Sequence, residues 1–456
     1  MLKITNPATG KTIREVETDT AESVAQKFAR ARAAQAEWAR ISITERVATM
    51  QRLKTLIERD AEKIAMTLTQ EVGKGIAQSR NEVKGLAGRF DFFMATVEET
   101  MSEEKVFSDG GMEEVIGLEP LGVVANISAW NYPLFVGFNV IVPALLTGNA
   151  VLYKPSEFAT LTGLLMAELI WEAGVPKDIF IPVIGTGAVG VDLLKQPIHG
   201  VFFTGSYATG AKIAEAAAKK MIKFQLELGG KDPAYVAEDV NVANAAASTA
   251  DGAFYNTGQS CCSVERIYVH TKIYDHFVEE FVKTVKSFVT GDPSDEKTYI
   301  GPLTRGAHVP FLENQVADAV AKGARLLTGG KRRAGAGNYF EPTVFTNVNH
   351  SMDLMREESF GPIIGIQKVA GDEEALKLMN DTPYGLTAAV YTASRERANR
   401  ILGQVQAGSA YWNCCDRVSP RLPWSGRGHS GVGATLSKYG ILAFLQPKAW
   451  HLRAPS

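Results

Sequence analysis

From Gly122 onward, short and continuously apolar runs alternate with longer stretches of helical period, and this alternation constrains the fold more than any other feature. The runs lack the polar alternation of a half-exposed strand, which is typical of strands buried on both faces. Such strands, joined by helical crossovers, form a parallel sheet covered by helices. The strand-like runs are GVVANIS, AVLYKP, IFIPVIG, GVFFTG and KFQLEL, and TGLLMAELIWEAG and TGAKIAEAAAKK are helical.

The alternation restarts after the strand KFQLEL, so we expect a second α/β unit. The 456 residues exceed the roughly 250–300 at which a single core stops growing. Three amphipathic helices are predicted in the first hundred residues, the first of them capped by Thr18 or Thr20. The fold class is therefore α/β, with two doubly wound Rossmann-like domains. Residues 1–103 and 121–229 are expected to form a dinucleotide-binding domain, and residues 230–428 form the second domain.

Two segments belong to neither unit. Residues 104–120 have a hairpin signal at Gly110 and Gly111, and residues 440–456 include the apolar run AFLQPKAWHLR. A strand at a chain end can pair with the sheet edge of a neighbouring molecule, or fold back on its own chain. We predict that the two segments form a small β oligomerisation arm and that the protein is a homodimer or a homotetramer.

Charge and hydropathy exclude several classes of partner. The chain has 48 basic and 50 acidic residues and no long charged run, so nothing indicates a nucleic-acid surface. The longest apolar stretch, residues 137–153, is interrupted by Asn, Pro and Gly and falls short of the roughly 20 residues of a membrane span. The N-terminal segment lacks the features of a secretory signal. We expect a cytoplasmic protein with neither nucleic acid nor membrane as partner.

The four cysteines occur as two adjacent pairs, Cys261 with Cys262 and Cys414 with Cys415. Adjacent cysteines are poor disulfide partners, and a reducing compartment disfavours disulfides further. The two pairs also lack the short spacing that lets two sulfurs reach one zinc ion, so we expect no metal. A cysteine that does chemistry needs a lowered thiol pKa or a nearby base.

Seven segments stand out along the chain, in the order NPATG, SAWNYP, YKPSE, FTGSYATG, LELGGK, GQSC and EESFGP. Taken together, they resemble the aldehyde dehydrogenase superfamily, specifically its NAD(P)-dependent, hydrolytic type. Each motif alone has little specificity, but their joint order and the 34-residue interval from Glu227 to Cys261 are specific. The resemblance spans nearly the whole chain and implies that residues 230–428 are the catalytic domain.

The resemblance implies three catalytic residues. Cys261 is the expected nucleophile, and Asn131 is the expected donor to the oxyanion formed when sulfur attacks the aldehyde. Glu227 is the expected general base that activates water to hydrolyse the thioester. Family members that transfer the acyl group to coenzyme A typically lack this glutamate, so release of a free acid is favoured. A CoA-acylating dehydrogenase and a catalytically silent member stay as alternatives.

The resemblance also implies NAD as cofactor, with NADP possible. Glu157 would accept a hydrogen bond from the ribose 2′-hydroxyl and repel a 2′-phosphate, although Lys154 offsets part of that repulsion. Gly205 and Ser206 open a helix whose N-terminal amides suit a pyrophosphate. The other cofactor positions implied by the resemblance are Trp130, Gly185, Gly187, Leu228, Glu358 and Phe360.

The substrate, a small-molecule aldehyde, is the least constrained prediction. Tyr132, Tyr255 and Trp424 match the aromatic funnel of the family, and Cys262 is expected to line the same pocket. The stretch YWNCC…LPWSG is most similar to betaine-aldehyde and aminoaldehyde dehydrogenases, in which aromatic rings surround an ammonium group.

Two features depart from that ammonium box. Asn139 stands where those relatives have a further aromatic residue, and Arg417 or Arg427 near the mouth could attract a carboxylate, as in succinate semialdehyde. Three substrate classes therefore stay open: simple apolar aldehydes, ammonium-bearing aldehydes and ω-carboxy aldehydes. The cysteine pair at Cys414 and Cys415 is expected to line the pocket as well.

Overall fold

A computed structural model describes residues 1–455 and begins with a hairpin and four helices. The hairpin was not expected, whereas the cap at Thr20 is confirmed: its hydroxyl accepts from the backbone N–H of Ser23 at 3.2 Å. The predicted second helix is broken at Asp60, whose backbone (φ −101°, ψ 17°) leaves the helical region. These elements are β1 (Leu2–Thr5), β2 (Thr12–Val16), α1 (Ala21–Arg40), α2 (Ile43–Arg59), α3 (Ala61–Val72) and α4 (Ile76–Thr100).

The next elements are the predicted hairpin at Gly110 and then a parallel sheet. All five apolar runs of the sequence form strands of this sheet, in the order β9, β8, β5, β6, β7. The strand order reverses between β5 and β8, and helices connect the strands. The elements are β3 (Glu104–Asp109), β4 (Met112–Pro120), β5 (Val123–Ile127), α5 (Pro133–Leu146), β6 (Ala150–Lys154), α6 (Thr160–Glu172), β7 (Phe180–Pro182), α7 (Gly187–Lys195), β8 (Gly200–Thr204), α8 (Tyr207–Ala218) and β9 (Lys223–Glu227).

After β9 the chain enters a second, seven-stranded sheet. Its strand order is β12, β13, β14, β11, β10, β16, β17, and only β12 runs antiparallel to its neighbour. Its elements, with β15 outside the sheet, are β10 (Pro233–Val236), α9 (Val242–Phe254), β11 (Arg266–His270), α10 (Tyr274–Ser287), α11 (His308–Ala321), β12 (Arg325–Thr328), β13 (Thr343–Thr346), α12 (Asp353–Arg356), β14 (Ile363–Val369), α13 (Asp372–Asn380), β15 (Tyr384–Gly385), β16 (Thr387–Tyr391), α14 (Arg395–Leu402) and β17 (Ser409–Trp412).

The C-terminal residues return to the first half of the molecule. Strand β19 pairs antiparallel with β9, so that Gly431 lies opposite Glu227. The last strand folds back along β4 and forms a three-stranded sheet with β4 and β3. The elements are β18 (Arg427–Gly428), β19 (Gly431–Val432), α15 (Ser437–Leu442) and β20 (Leu445–Arg453). Within residues 1–455 we find no helix that is both long and apolar enough to span a bilayer.

A buried ion pair forms where α4 meets the start of α5. Lys74 and Glu82 are both almost inaccessible to solvent, and the ammonium donates to the carboxylate. The other oxygen of Glu82 accepts the backbone N–H groups of Leu134 at 3.0 Å and Phe135 at 3.3 Å. The first turn of α5 has no partner for these donors within the helix, so Glu82 both satisfies them and fixes the residues before α5.

We predict that Lys74→Met lowers the free energy of unfolding by about 3–5 kcal/mol, because it leaves Glu82 charged and buried without its cation. The midpoint of urea unfolding measures this loss. The control is Lys54→Met, which breaks an ion pair with the exposed Asp91 and should cost less than about 1 kcal/mol. Equal midpoints for the two variants would contradict the role given to the buried pair.

Candidate active site

The carboxyl ends of the parallel strands β5 to β9 lie along one edge of the first sheet. In a doubly wound sheet a ligand binds at this edge, where the strand order reverses. Here the reversal lies between β5 and β8, and the loop containing Asn131 follows β5 while Gly205 and Ser206 follow β8. Glu227 is the last residue of β9. The fold therefore places three of the predicted site segments around one crevice.

The loop that contains Cys261 comes from the second half of the molecule and follows α9. It begins with a tight turn over residues 255–258, in which Asn256 and Thr257 have left-handed backbones (φ 53° and 59°). The side-chain amide of Asn256 donates to the carbonyl oxygens of Asn131 and Gln259, both at 3.1 Å. The amide of Asn131 also donates to Gln259 O, at 3.1 Å. These bonds hold the Asn131 loop against the Cys261 loop.

A cavity of about 400 Å³ opens at the switch point of the first sheet. It contains the three predicted catalytic residues and most of the predicted cofactor residues. Among the residues that line it are Trp130, Asn131, Gly205, Ser206, Glu227, Leu228, Cys261, Glu358 and Phe360.

Four predicted cofactor residues do not line this cavity. Lys154 ends β6 and Glu157 follows it, and their charged groups are 4.0 Å apart. Gly185 lies after β7, and Gly187 is the first residue of α7. All four therefore lie farther along the same edge of the sheet, beyond β5.

A second cavity, of about 520 Å³, lies on the other side of Cys261. The structure brings all four predicted pocket residues together in its wall, namely Tyr132, Tyr255, Cys262 and Trp424. Cys261 and Glu227 line this cavity as well as the first one. A thiol and a carboxylate thus stand where two cavities adjoin.

Glu227 is buried, and burial raises the pKa of its carboxyl to about 7. The hydroxyl of Thr435 donates to the carboxylate and opposes the shift, as does the positive charge of Arg89. Thr435 is itself fixed by two backbone hydrogen bonds with Trp424, of 2.8 and 2.9 Å. The carboxyl group is therefore able to take up or release a proton near neutral pH.

The two adjacent thiols have different surroundings. Cys261 is half-buried in the walls of both cavities, whereas Cys262 is buried and donates to Asp416 at 3.0 Å. Contact with the Cys261 thiol, burial and the charge of Asp416 raise the pKa of Cys262 well above its usual value. Cys262 is therefore a neutral thiol at neutral pH. Of the second cysteine pair, Cys415 lines the cavity and Cys414 does not.

Glu358 approaches the backbone between the two sheets. It accepts the backbone N–H of Gly230 at 3.0 Å, and a Cβ atom on Gly229 would come within 2.2 Å of its carboxylate. A side chain at position 229 would therefore displace the carboxylate of Glu358. Burial, followed by the negative charge of Glu265, raises the pKa of Glu358 to about 8.

The arginines near the pocket differ from the sequence-based expectation. Arg417 lines the second cavity, but Arg427 lies in β18, paired with β15, and lines neither cavity. The wall of the second cavity also contains a buried guanidinium, that of Arg89 on α4, which the sequence analysis did not single out. It donates to Asn139, the residue that replaces an expected aromatic side chain.

Four site residues carry no recognisable signal in the sequence. They are Arg89, Asn256, Asp416 and Thr435, and each reaches the site from a segment distant in sequence from the residue that it contacts. One of them, Arg89, is indicated indirectly by Asn139, because a polar residue in an apolar helix needs a buried partner. Among residues 1–455, no cluster of three or more His, Cys, Asp or Glu is arranged to hold a metal ion.

Comparison with known proteins agrees with this geometry. The model of the aldehyde dehydrogenase family matches residues 1–450. A protein of Mycobacterium ulcerans named "Putative succinate-semialdehyde dehydrogenase [NADP(+)] 2" is 35% identical over 96% of this chain and 86% of its own length. Peroxisomal aminoaldehyde dehydrogenase 2 of Malus domestica is 34% identical over 98% of this chain and 91% of its own.

A solved structure, the NAD-dependent aldehyde dehydrogenase from Sinorhizobium meliloti, superimposes with a TM-score of 0.96. It is 33% identical and covers 100% of this chain and 92% of its own. The chain belongs to the aldehyde dehydrogenase family. The predictions of this family, of its α/β fold and of an enzyme are thereby confirmed.

We predict that Thr435→Val raises the pKa of Glu227 by about one unit, because the variant loses a hydrogen bond to the charged form. Infrared difference spectra between pH 5 and pH 9 follow the carboxylate band, which Glu227→Gln assigns by removing it. Thr435→Ser keeps the hydroxyl and is the matched control. A band that titrates at the same pH in all three Thr435 proteins would contradict the contact.

Proposed function

We propose that this protein oxidises an aldehyde to a free carboxylic acid with NAD as cofactor, through a thiohemiacetal and a thioester on Cys261. One observation carries the proposal: Cys261 and Glu227 line both the cavity at the switch point and the cavity with aromatic walls. A cofactor in the first cavity and an aldehyde in the second would meet at the sulfur.

Cys261 attacks the carbonyl carbon of the aldehyde, and the carbonyl oxygen becomes an oxyanion. The amide of Asn131 has two N–H groups, one of which donates to Gln259 O. The other N–H and the backbone N–H of Cys261 are the donors we assign to the oxyanion. Loss of one such donor typically costs about 3–4 kcal/mol of barrier height.

We assign the pyrophosphate and the nicotinamide end of the dinucleotide to the first cavity. Helix α8 begins after Ser206, whose side chain does not cap the helix, so the first N–H groups are available to a pyrophosphate. Trp130 and Phe360 pack edge to face at 5.6 Å, and we assign them, with Glu358, to the nicotinamide end. When bound, the nicotinamide supplies the acceptor for the hydride that leaves the thiohemiacetal. Leu228 and Gly205 form part of the same wall.

Glu227 then acts on the thioester. Its pKa of about 7 leaves a substantial fraction ionised at neutral pH, so it can accept a proton from the water that attacks the thioester carbon. The acid is released and Cys261 is regenerated. Because only the ionised carboxylate accepts a proton, hydrolysis should be lost as the pH falls through about 7.

We assign Lys154 and Glu157 to the adenosine ribose, with Gly185 and Gly187 beside the adenine. The charged groups of Lys154 and Glu157 are 4.0 Å apart, which supports a site in which both side chains contact the ribose. The relatives include proteins named for NADP(+) and for NAD. We favour NAD here because the carboxylate of Glu157 would repel a 2′-phosphate.

We also propose the domain roles and the oligomeric assembly that the sequence predicts. Residues 1–103 and 121–229 bind the dinucleotide, and residues 230–428 present the cysteine. The sheet of β3, β4 and β20 exposes large apolar side chains, which supports its role as an oligomerisation arm in a homodimer or homotetramer. These exposed side chains are Val106, Phe107, Ile116, Trp450 and Leu452.

We predict that Cys261→Ala abolishes NADH formation from an aldehyde, because no other thiol lines both cavities. Cys262→Ala, the matched control one residue away, should keep most of the activity. Initial rates of absorbance at 340 nm with a straight-chain aldehyde provide the measurement. Equal losses in the two variants would refute the assignment of the nucleophile, and an inactive wild type would indicate a catalytically silent member.

We predict that Glu157→Gln increases the ratio of kcat/KM for NADP to that for NAD by about 10-fold, since it removes a repulsive charge worth about 1–4 kcal/mol. Steady-state kinetics with both cofactors measure the ratio. Glu172→Gln, on the surface next to Arg59, serves as the control and should leave the ratio unchanged. An unaltered ratio in Glu157→Gln would remove Glu157 from the ribose site.

A further inference from the structure

Arg89 projects from α4 into the wall of the aromatic cavity, and only 5% of it is exposed. Its position is fixed on two sides. The guanidinium lies 3.6 Å from the centroid of the Phe135 ring, and its Nε donates to Asn139 Oδ1 at 3.1 Å. A third contact, from Nη1 to the carbonyl of Gly85, is 3.0 Å long. The group is therefore oriented before any ligand arrives.

Most of the hydrogen-bonding capacity of this guanidinium is unused. An arginine has five N–H donors, and two of those on Arg89 have acceptors among residues 1–455. Burial lowers the pKa of Arg89 to about 10, so the side chain is still cationic at neutral pH. A buried cation is costly unless it is paired, which makes the remaining donors a site for an anion.

No carboxylate in the described part of the chain forms a salt bridge with Arg89 within 4.0 Å. The two carboxylates whose charges act on Arg89 already have partners. Glu82 pairs with Lys74 and accepts two backbone N–H groups, and Glu227 accepts from Thr435. Glu82 thus neutralises Lys74, whereas neither carboxylate forms a salt bridge with Arg89, although the charges of both stabilise its cationic form.

The other charged groups of the cavity also have partners or lie in solvent. Asp416 accepts from the Cys262 thiol, and Asp251 accepts from the hydroxyl of Tyr299. Arg417 is exposed at the cavity. The ring of Tyr132 is covered by the ammonium of Lys74, 3.6 Å from its centroid, so this face is not free to receive an ammonium from a substrate.

We propose that the physiological substrates are aldehydes with a carboxylate at the far end, and that Arg89 binds this carboxylate. The inference rests on the proposed function and adds the substrate class and the residue that selects it. Because Arg89 and Cys261 line the same cavity, one molecule can present its carboxylate to the guanidinium and its aldehyde to the sulfur. The bidentate shape of a carboxylate matches the unused donors.

The test compares succinate semialdehyde with its methyl ester, which has the same backbone without the charge. We expect Arg89→Met to reduce the preference in kcat/KM for the acid over the ester by about 10- to 100-fold, mainly through KM. Because the charge of Arg89 also lowers the pKa of Glu227, both substrates are assayed at pH 9, where Glu227 stays ionised, and turnover of the ester should change by less than about threefold. Arg89→Lys should restore part of the preference, and Arg417→Met, in the same cavity, should retain it. Loss of the preference in Arg417→Met alone would overturn the proposal.

A measurement on the wild-type protein keeps the test decisive if Arg89→Met does not fold. Succinate and glutarate are compared with succinamide and glutaramide as inhibitors of butanal oxidation. We expect the diacids to compete with butanal at concentrations at least about 10-fold lower than the diamides. Equal inhibition would refute the proposal while butanal turnover still supported the oxidation itself. No turnover of any aldehyde would instead refute the proposed function.

Discussion

The site depends on holding the thiol of Cys261, which lies on a loop, and the carboxylate of Glu227, which ends a strand, where two cavities adjoin. Glu227 ends β9 of the first sheet, and Cys261 follows α9, which packs beside the second sheet. The hydrogen bonds of Asn256 tie the cysteine loop to the Asn131 loop, and β19 returns to pair with β9 opposite Glu227. Because these bonds hold the Asn131 loop, the Cys261 loop and β9, the groups that we propose to react are preorganised by the fold.

Burial of ionisable groups has a different consequence at each position. Glu227 and Glu358 lose solvation and acquire pKa values of about 7 and 8, so each is able to change charge near neutral pH. Lys74 and Glu82 neutralise each other and serve the architecture of α5. Arg89 has no carboxylate within salt-bridge distance and lines the aromatic cavity with most of its donors unused, which is why we assign it to a ligand.

The sequence predicts well what depends on local pattern. The five strands of the first sheet, the hairpin at Gly110 and the cap at Thr20 follow from apolar runs, turn residues and a hydroxyl before a helix. The break at Asp60 and the partner of Thr435 do not, because they depend on contacts between distant segments. The C-terminal strand had two possible partners, and only the fold shows that it pairs with β4.

We propose that Cys261 carries the acyl group that Glu227 helps to hydrolyse. Mass spectrometry of Glu227→Gln, acid-quenched after incubation with NAD and an aldehyde, tests it most directly. We expect a stoichiometric acyl adduct that fragmentation assigns to Cys261 and not to Cys262. An adduct on Cys262, or steady turnover at the wild-type rate with no adduct at all, would contradict it.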